Sequence, residues 1–471
     1  LLLRTLLLMT AAASAALGAA ASASPSDPFR TEAALQRDTA GLTDPTGHDC
    51  ALHSGLLTFP AAVELALCKN PQTRAAWAQA HEQAAALGSA ESAWLPAASV
   101  TGQEARNYGP HADITGNIIN GGQNSTDATV NLTWTLFDFG ARSGKIHSAR
   151  SLLDAAAATA SSVAQQVVRA VVQAYYGAVA GDENLIAAKT TEDVTEHSLE
   201  VARALREGGV GNLADVLQAE TAHGQAVLGR IQAEATQKNA RGTLAVTLGQ
   251  TAESGFRLDP EPVPTEVPAL SARMTDLMTE AIRQRPDLKA AQAQRDAAES
   301  NITVARAAGR PTIAVGALHN FTANTGVENE NYNQVGISVT WPLFTGFNVS
   351  YGIRQAQATL DAQEASLEQV TLSVTLDVWN GYYSLDSANQ QLTATAALNK
   401  TAEDNEKVAL GRYQSGVGTI VDVLTAQTAA ATARQLRINA ELGWKVARAQ
   451  LALALGRLSS AEPLRDEVAL P

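Results

Sequence analysis

One stretch occurs twice in this chain, and the repeat governs what the chain can fold into. EGGVGNLADVLQAET spans residues 207–221 and QSGVGTIVDVLTAQT spans 414–428, with eight of fifteen positions identical at an offset of 207. The register extends well beyond these turns. Trp134, Leu136 and Phe137 fall on Trp341, Leu343 and Phe344, Tyr175-Tyr176 on Tyr382-Tyr383, and Leu248-Gly249 on Leu455-Gly456. Upstream the offset becomes 215, aligning Pro71 with Pro286 and Pro96 with Pro311. The difference of eight residues is expected in the loop between Pro96 and Trp134. A repeat this long means two copies of one architecture, whatever the chain length alone would suggest.

Each copy reads as a strand pair followed by a helical hairpin. In TVNLTWTLFDF, Val130, Leu132, Trp134 and Leu136 point one way and Thr129, Asn131, Thr133 and Thr135 the other, the period of a strand. The second copy sets Val335, Ile337, Val339, Trp341 and Leu343 against Gly336, Ser338 and Thr340. The polar face carries no charge, and Trp134, Phe137, Trp341 and Phe344 gather at one end. A membrane β-strand has this pattern, with a lipid face, a lumen face and an interfacial aromatic girdle. Strands are expected at about 97–106, 128–138, 312–321 and 334–344, around polar loops at 107–127 and 322–333.

Helical stretches without proline follow at 140–206 and 347–413. Their apolar residues fall near heptad spacing, as at Val163, Val167 and Val171. A helix of 67 residues is about 100 Å long. Return helices are expected at 213–248 and 420–455, with hairpin tips near 207–213 and 414–420. A helical hairpin of that length cannot bury its seam alone, so oligomerisation is expected.

The domain reading is a signal peptide at 1–23, an extended N-terminal segment at 24–58, a first repeat at 59–249, a connector at 250–270, a second repeat at 271–456 and a tail at 457–471. The leader rests on Arg4, an apolar run and the Ala21-Ser22-Ala23 cleavage pattern. Export places Cys50 and Cys68, the two cysteines of the chain, in an oxidising compartment. A disulfide is expected there; the alternative, two free thiols or metal ligands, lacks further Cys or suitably spaced His. The net charge of −13 excludes a nucleic-acid partner, which needs a basic face. No HExxH, G-x-S-x-G, Walker or Rossmann pattern and no His ligand spacing are present, so neither an enzyme nor a cofactor or metal site is expected.

Four strands cannot close a barrel, and open sheet edges are forbidden in lipid. The fold class expected is therefore mainly α with membrane β: long antiparallel coiled-coil hairpins below a barrel to which each of three chains gives four strands. Twelve strands lie within the range of outer-membrane barrels.

Over about 57–458, through TWTLFDFG, TWPLFTGF, GVGNLADVL and GVGTIVDVL, the chain resembles the TolC family of outer-membrane efflux and secretion channels. The resemblance implies a homotrimeric channel-tunnel in outer-membrane lipid. It would dock onto a periplasmic adaptor and an inner-membrane ABC or proton-driven transporter. It makes Gly209, Val210, Gly211, Gly416, Val417 and Gly418 the adaptor-contacting tips. It also makes Asp422 an acidic ring at the tunnel constriction, and Asp215 with Tyr413 a latch holding the entrance shut. Gly418 stands where the family has the latch arginine, and Thr425 where it has a second aspartate ring. Cys50 and Cys68, with ALCKNPQTRAAW, resemble the CyaE-like branch, which implies type I protein secretion. Drug or metal efflux is the alternative within the family. A trimeric outer-membrane adhesin is the alternative from another class, although its strands would stand only at the C-terminus.

Overall fold

A computed structural model describes residues 27–38, 56–112, 115–259, 273–324 and 329–457. The expected signal peptide, Cys50 and the tail beyond Arg457 lie outside them. In chain order the elements are α1 (Thr31–Asp38), β1 (Leu56–Leu57), α2 (Phe59–Lys69), α3 (Pro71–Glu91), β2 (Ala97–Ala112), β3 (Ile118–Phe137), α4 (Ala141–Glu207) and α5 (Leu213–Thr247), then β4 (Arg257–Leu258), α6 (Met274–Gln284), α7 (Pro286–Ala307), β5 (Thr312–Asn324), β6 (Glu330–Thr340), α8 (Asn348–Gln414) and α9 (Ile420–Ala454). The copies match closely: α4 and α8 have 67 residues each, and α5 and α9 have 35. No described helix is long and apolar enough to cross a membrane.

The chain forms two compact units. The first comprises Leu1–Asp38, Gln79–Ala157 and Ala290–Glu368. Its centre is an antiparallel sheet in the order β2-β3-β5-β6, which leaves β2 and β6 with one unpaired side each. The eight extra residues of the first copy lie in paired strand, not in a loop. β2 and β3 stay in register to Ala112↔Ile118, whereas the β5–β6 pairing ends at Thr322↔Glu330. The polar stretches read as loops at 107–127 and 322–333 are thus mostly ladder. Gly, Asn and Thr signal turns, but a long hairpin satisfies the backbone itself and tolerates polar side chains wherever water meets them.

Both passages from sheet to helix turn through two consecutive residues of positive φ. These are Phe139 (54°) and Gly140 (95°) in one copy, Gly346 (60°) and Phe347 (66°) in the other. A left-handed phenylalanine costs ~1–2 kcal/mol, and the copies place it at opposite positions of the pair. In the first copy Arg142 braces the turn from a buried position. It donates to the carbonyls of Thr135 (2.6 Å) and Leu136 (3.0 Å), pairs with Asp138 (2.9 Å) and lies 4.1 Å over the Trp94 ring.

The expected extended segment at 24–58 contains a helix, α1. Both oxygens of Asp27 cap it, accepting the N–H groups of Thr31 (3.0 Å) and Glu32 (3.1 Å). Ala34 and Leu35 are buried, and Glu32 meets His81 Nδ1 at 2.6 Å. Eight residues show too little periodicity to read alone. Packing of the apolar pair onto its neighbours fixes the helix.

The second unit comprises Thr39–Ala78, Ala158–Lys289 and Gln369–Pro471. The α2 helix buries Phe59, Ala62 and Val63 against Val168, Val171, Val172, Tyr175 and Tyr176 of α4, together with Leu244, Leu248, Ala449 and Ala452. Full burial of each large side chain contributes ~1.5–3 kcal/mol. Its repeat twin α6 sets Leu277 and Ala281 against Val374, Val378, Leu385, Trp444 and Leu451. The connector read as extended contributes β4, which pairs in parallel with β1. The buried Tyr175 hydroxyl shares its one proton between Leu57 O (3.0 Å) and Asp259 O (2.8 Å), fastening that pair to α4.

Candidate functional site at the hairpin tips

The two repeated turns close helical hairpins in the same way. In the first, Val210 N–H donates to Leu205 O and Gly209 N–H to Arg206 O, both at 3.0 Å. In the second, Val417 donates to Arg412 O and Gly416 to Tyr413 O, again at 3.0 Å. This Schellman arrangement uses the otherwise unpaired carbonyls at a helix end and requires a left-handed residue. Gly209 (φ 79°) and Gly416 (φ 72°) supply it. Gly211 and Gly418 are needed for closeness instead. A Cβ on Gly211 would stand 2.8 Å from Arg206 N, and one on Gly418 3.1 Å from Tyr413 N. The chain leaving each helix lies flat across its end. An arginine in place of Gly418 would push on that backbone.

Val210 and Val417 crown the tips, 80% and 69% exposed. Leu213, Leu217 and Val421 extend the apolar surface. These apolar side chains stand outward on or beside the two turns. Beneath them, Leu199, Ala202, Val216, Ala219, Tyr413, Ile420 and Val423 pack the two tips onto each other.

Return helices α5 and α9 start on different caps. Asn212 accepts the Asp215 N–H at 2.8 Å. Thr419 accepts the Asp422 N–H at 3.2 Å, and the Asp422 carboxylate accepts the Thr419 N–H at 3.1 Å, completing a capping box. Bonds to Thr419 hold the Asp422 carboxyl below the usual carboxylate range. Asp422 stands at the rim of a groove of about 330 Å³ with Asn405, Arg412, Gly418 and Thr425. Asp215 lies near Tyr413 instead. Burial, then the Asp215 charge, raises the Tyr413 phenol above its ordinary value. The hydroxyl itself is buried and makes no hydrogen bond among the described residues. The structure thus brings Asp215 and Tyr413 together where the two tips pack on each other.

The remaining expected residues lie elsewhere. Trp134, Phe137, Trp341 and Phe344 are exposed where the sheet hands over to helix. Cys68 is on α2 and is not a free thiol, while Cys50 lies outside the described residues. Among the described residues no three His, Cys, Asp or Glu side chains are grouped to hold a metal. Sequence reading missed two features. Arg142 was hidden because its repeat twin is Val349, although Asp138 four residues earlier is a legible ion-pair spacing. Gln427, near the second tip, donates to the buried Ser198 hydroxyl at 2.6 Å and ties α9 to α4.

Residues 62–250 and 277–457 match the outer membrane efflux protein family, one match per repeat. The chain belongs to that family. It is 31% identical over 388 residues to protein CyaE of Bordetella pertussis, covering 81% of this chain and 80% of that one. It is 24% identical over 398 residues to outer membrane protein TolC of Vibrio cholerae, covering 83% and 88%. The structure of the outer-membrane channel OprN superposes with a TM-score of 0.74 at 22% identity, over 88% of this chain and 95% of that one. This outer membrane efflux protein is an outer-membrane channel of tripartite export systems, reaching into the periplasm, and its relatives include the CyaE-like branch.

Proposed function

We propose that the protein is the homotrimeric exit duct of a type I secretion system, a passive conduit for a polypeptide cargo. The observation that carries the trimer is the sheet: β2 and β6 each keep an unpaired edge, and lipid tolerates none. Pairing β6 of one copy with β2 of the next closes twelve strands in three copies. The similarity to CyaE along four fifths of both chains supports polypeptide cargo over small molecules. In this reading Val210 and Val417 dock a periplasmic adaptor, which links the duct to an inner-membrane ABC exporter. Gly209, Gly211, Gly416 and Gly418 shape the backbone that presents them. Three copies of Asp422 form the constriction, Asp215 and Tyr413 restrain it, and Trp134, Phe137, Trp341 and Phe344 sit at the membrane interface.

Deleting the protein from its host tests the cargo. The expected result is loss of a large polypeptide from the medium, restored by the wild-type chain and not by one with Val210 and Val417 both changed to Asp. Unchanged secretion with new sensitivity to dyes or solvents would instead make it a small-molecule efflux duct.

A further inference from the structure

Charge is divided between the two ends of the sheet. At the hairpin-loop end, the stretches 103–127 and 320–333 hold five acidic residues and one basic residue, Arg106. The stretches that join sheet to helix are 85–96, 138–150, 302–311 and 342–354. They hold six Lys or Arg against two acids, Glu91 and Asp138, a local net of +4 in a chain of −13. Two of the six are committed, since Arg142 pairs with Asp138 and Arg150 with Asp154. Lys145, Arg306, Arg310 and Arg354 are exposed and pair with no acidic side chain among the described residues. They form one band because the helix ends are neighbours. A Cβ on Gly144 would stand 2.9 Å from Val304, setting the start of α4 against the end of α7. One on Gly309 would stand 3.0 Å from Val349, setting the end of α7 against the start of α8.

Exposed aromatic rings lie between this band and the sheet. On α8, Phe347, Tyr351 and Arg354 share a face by their i, i+4, i+7 spacing. Phe344 stands edge-on to Phe347 at 5.7 Å, and the Arg354 guanidinium lies 5.7 Å from the Tyr351 ring centre. On α4, Lys145 is one turn beyond Arg142, which covers the Trp94 ring, and the Trp94 carbonyl accepts the Trp134 indole N–H at 2.9 Å. Trp134 shares its strand face with Val130, Leu132 and Leu136. An apolar strand face, then exposed rings, then cations follows a bilayer from hydrocarbon to headgroup. We propose that Lys145, Arg306, Arg310 and Arg354 form a basic collar that holds the headgroups of anionic phospholipids in the periplasmic leaflet of the outer membrane. Lys and Arg pair with phosphodiester oxygens. A zwitterionic lipid balances its phosphate with its own amine, so the collar selects lipids of net negative charge, such as phosphatidylglycerol. The acidic loop end repels the same lipids, which confines the preference to one leaflet.

This rests on the membrane-interface reading of Trp134, Phe137, Trp341 and Phe344 above. In the test, the full chain is reconstituted into phosphatidylcholine vesicles carrying a minor share of acyl-brominated phosphatidylglycerol or acyl-brominated phosphatidylcholine, and tryptophan quenching is measured. Brominated phosphatidylglycerol should quench more, with a relative binding constant roughly fivefold above that of phosphatidylcholine, and the excess should shrink at high salt. Changing Lys145, Arg306, Arg310 and Arg354 together to Gln should abolish the excess. The same charge change at Lys189, Arg203, Lys238 and Lys400, on the hairpins, should keep it. Equal quenching by the two lipids in the wild type, or an excess that survives in the collar variant, overturns the collar. A collar variant that alters only the ion selectivity of the pore places these cations in the lumen and also overturns it. If that variant fails to fold, the salt dependence of the wild type decides, and an excess unmoved by salt overturns the collar. No quenching by either brominated lipid overturns the interface reading as well.

Discussion

Asp215 and Asp422 hold the same position in the two repeated tips and use their carboxylates differently. Asp422 returns a hydrogen bond to the Thr419 N–H, whereas Asp215 returns none to Asn212 and lies near the buried Tyr413 hydroxyl. A duplicated motif has kept its backbone and divided its side-chain work.

The backbone half of this account is tested at the glycines. Gly211→Ala should destabilise the first tip by ~1–3 kcal/mol through overpacking. Gly418→Ala should cost less, since its nearest atom is 3.1 Å away rather than 2.8 Å. Local hydrogen exchange at 205–215 and 412–422 would read the order, and a larger effect at Gly418 would contradict it.

Tyr413 separates ring from hydroxyl. The ring packs with Ile420 and Val423, but the hydroxyl has no hydrogen-bond partner among the described residues. Tyr413→Ala should cost ~3–5 kcal/mol of tip stability, while Tyr413→Phe should be neutral or stabilising. Hydrogen exchange or thermal unfolding measures both. Equal losses in the two variants would mean that the hydroxyl is a true latch.

Much of the tip was legible because glycine positions and helix caps are local chemistry. Gly209, Gly416, Asp215 and Asp422 stand out in a single reading of the repeat. What the side chains touch was not legible. Asn212 and Thr419 are both good caps, and only the folded geometry shows that one of them closes a capping box. The four strands and the long hairpins could be read from period and repeat. The helix α1 could not, because its eight residues depend on Leu35 finding a buried site. Arg142 escaped because the comparison that exposed everything else, one copy against the other, sets it opposite a valine.

Glu183 carries a pH dependence. Burial and then the Glu441 charge raise its pKa, so its contribution to stability is fully present below the ordinary glutamate pKa and is lost as pH rises through the raised value. Glu183→Gln should therefore raise the melting temperature at pH 7, and the gain should vanish toward pH 4. Thermal scans across that range check it. A gain that is the same at every pH would mean that charge is not the cause.

The cysteines offer a covalent test. Non-reducing peptide mapping should recover Cys50 joined to Cys68. Removing the bond with Cys68→Ala should cost ~3 kcal/mol in the chain-entropy model. A second copy of Cys68 as the partner would overturn the pairing.

The central claim is a conduit constricted by Asp422, and single-channel recording in planar bilayers tests it most directly. The wild-type protein should conduct passively, prefer cations and be blocked by divalent ions. Asp422→Asn should lose that preference and that block while still conducting, because three symmetric carboxylates have become neutral. Identical selectivity and divalent sensitivity in Asp422→Asn would contradict the constriction, and no conductance in any state would contradict the conduit itself.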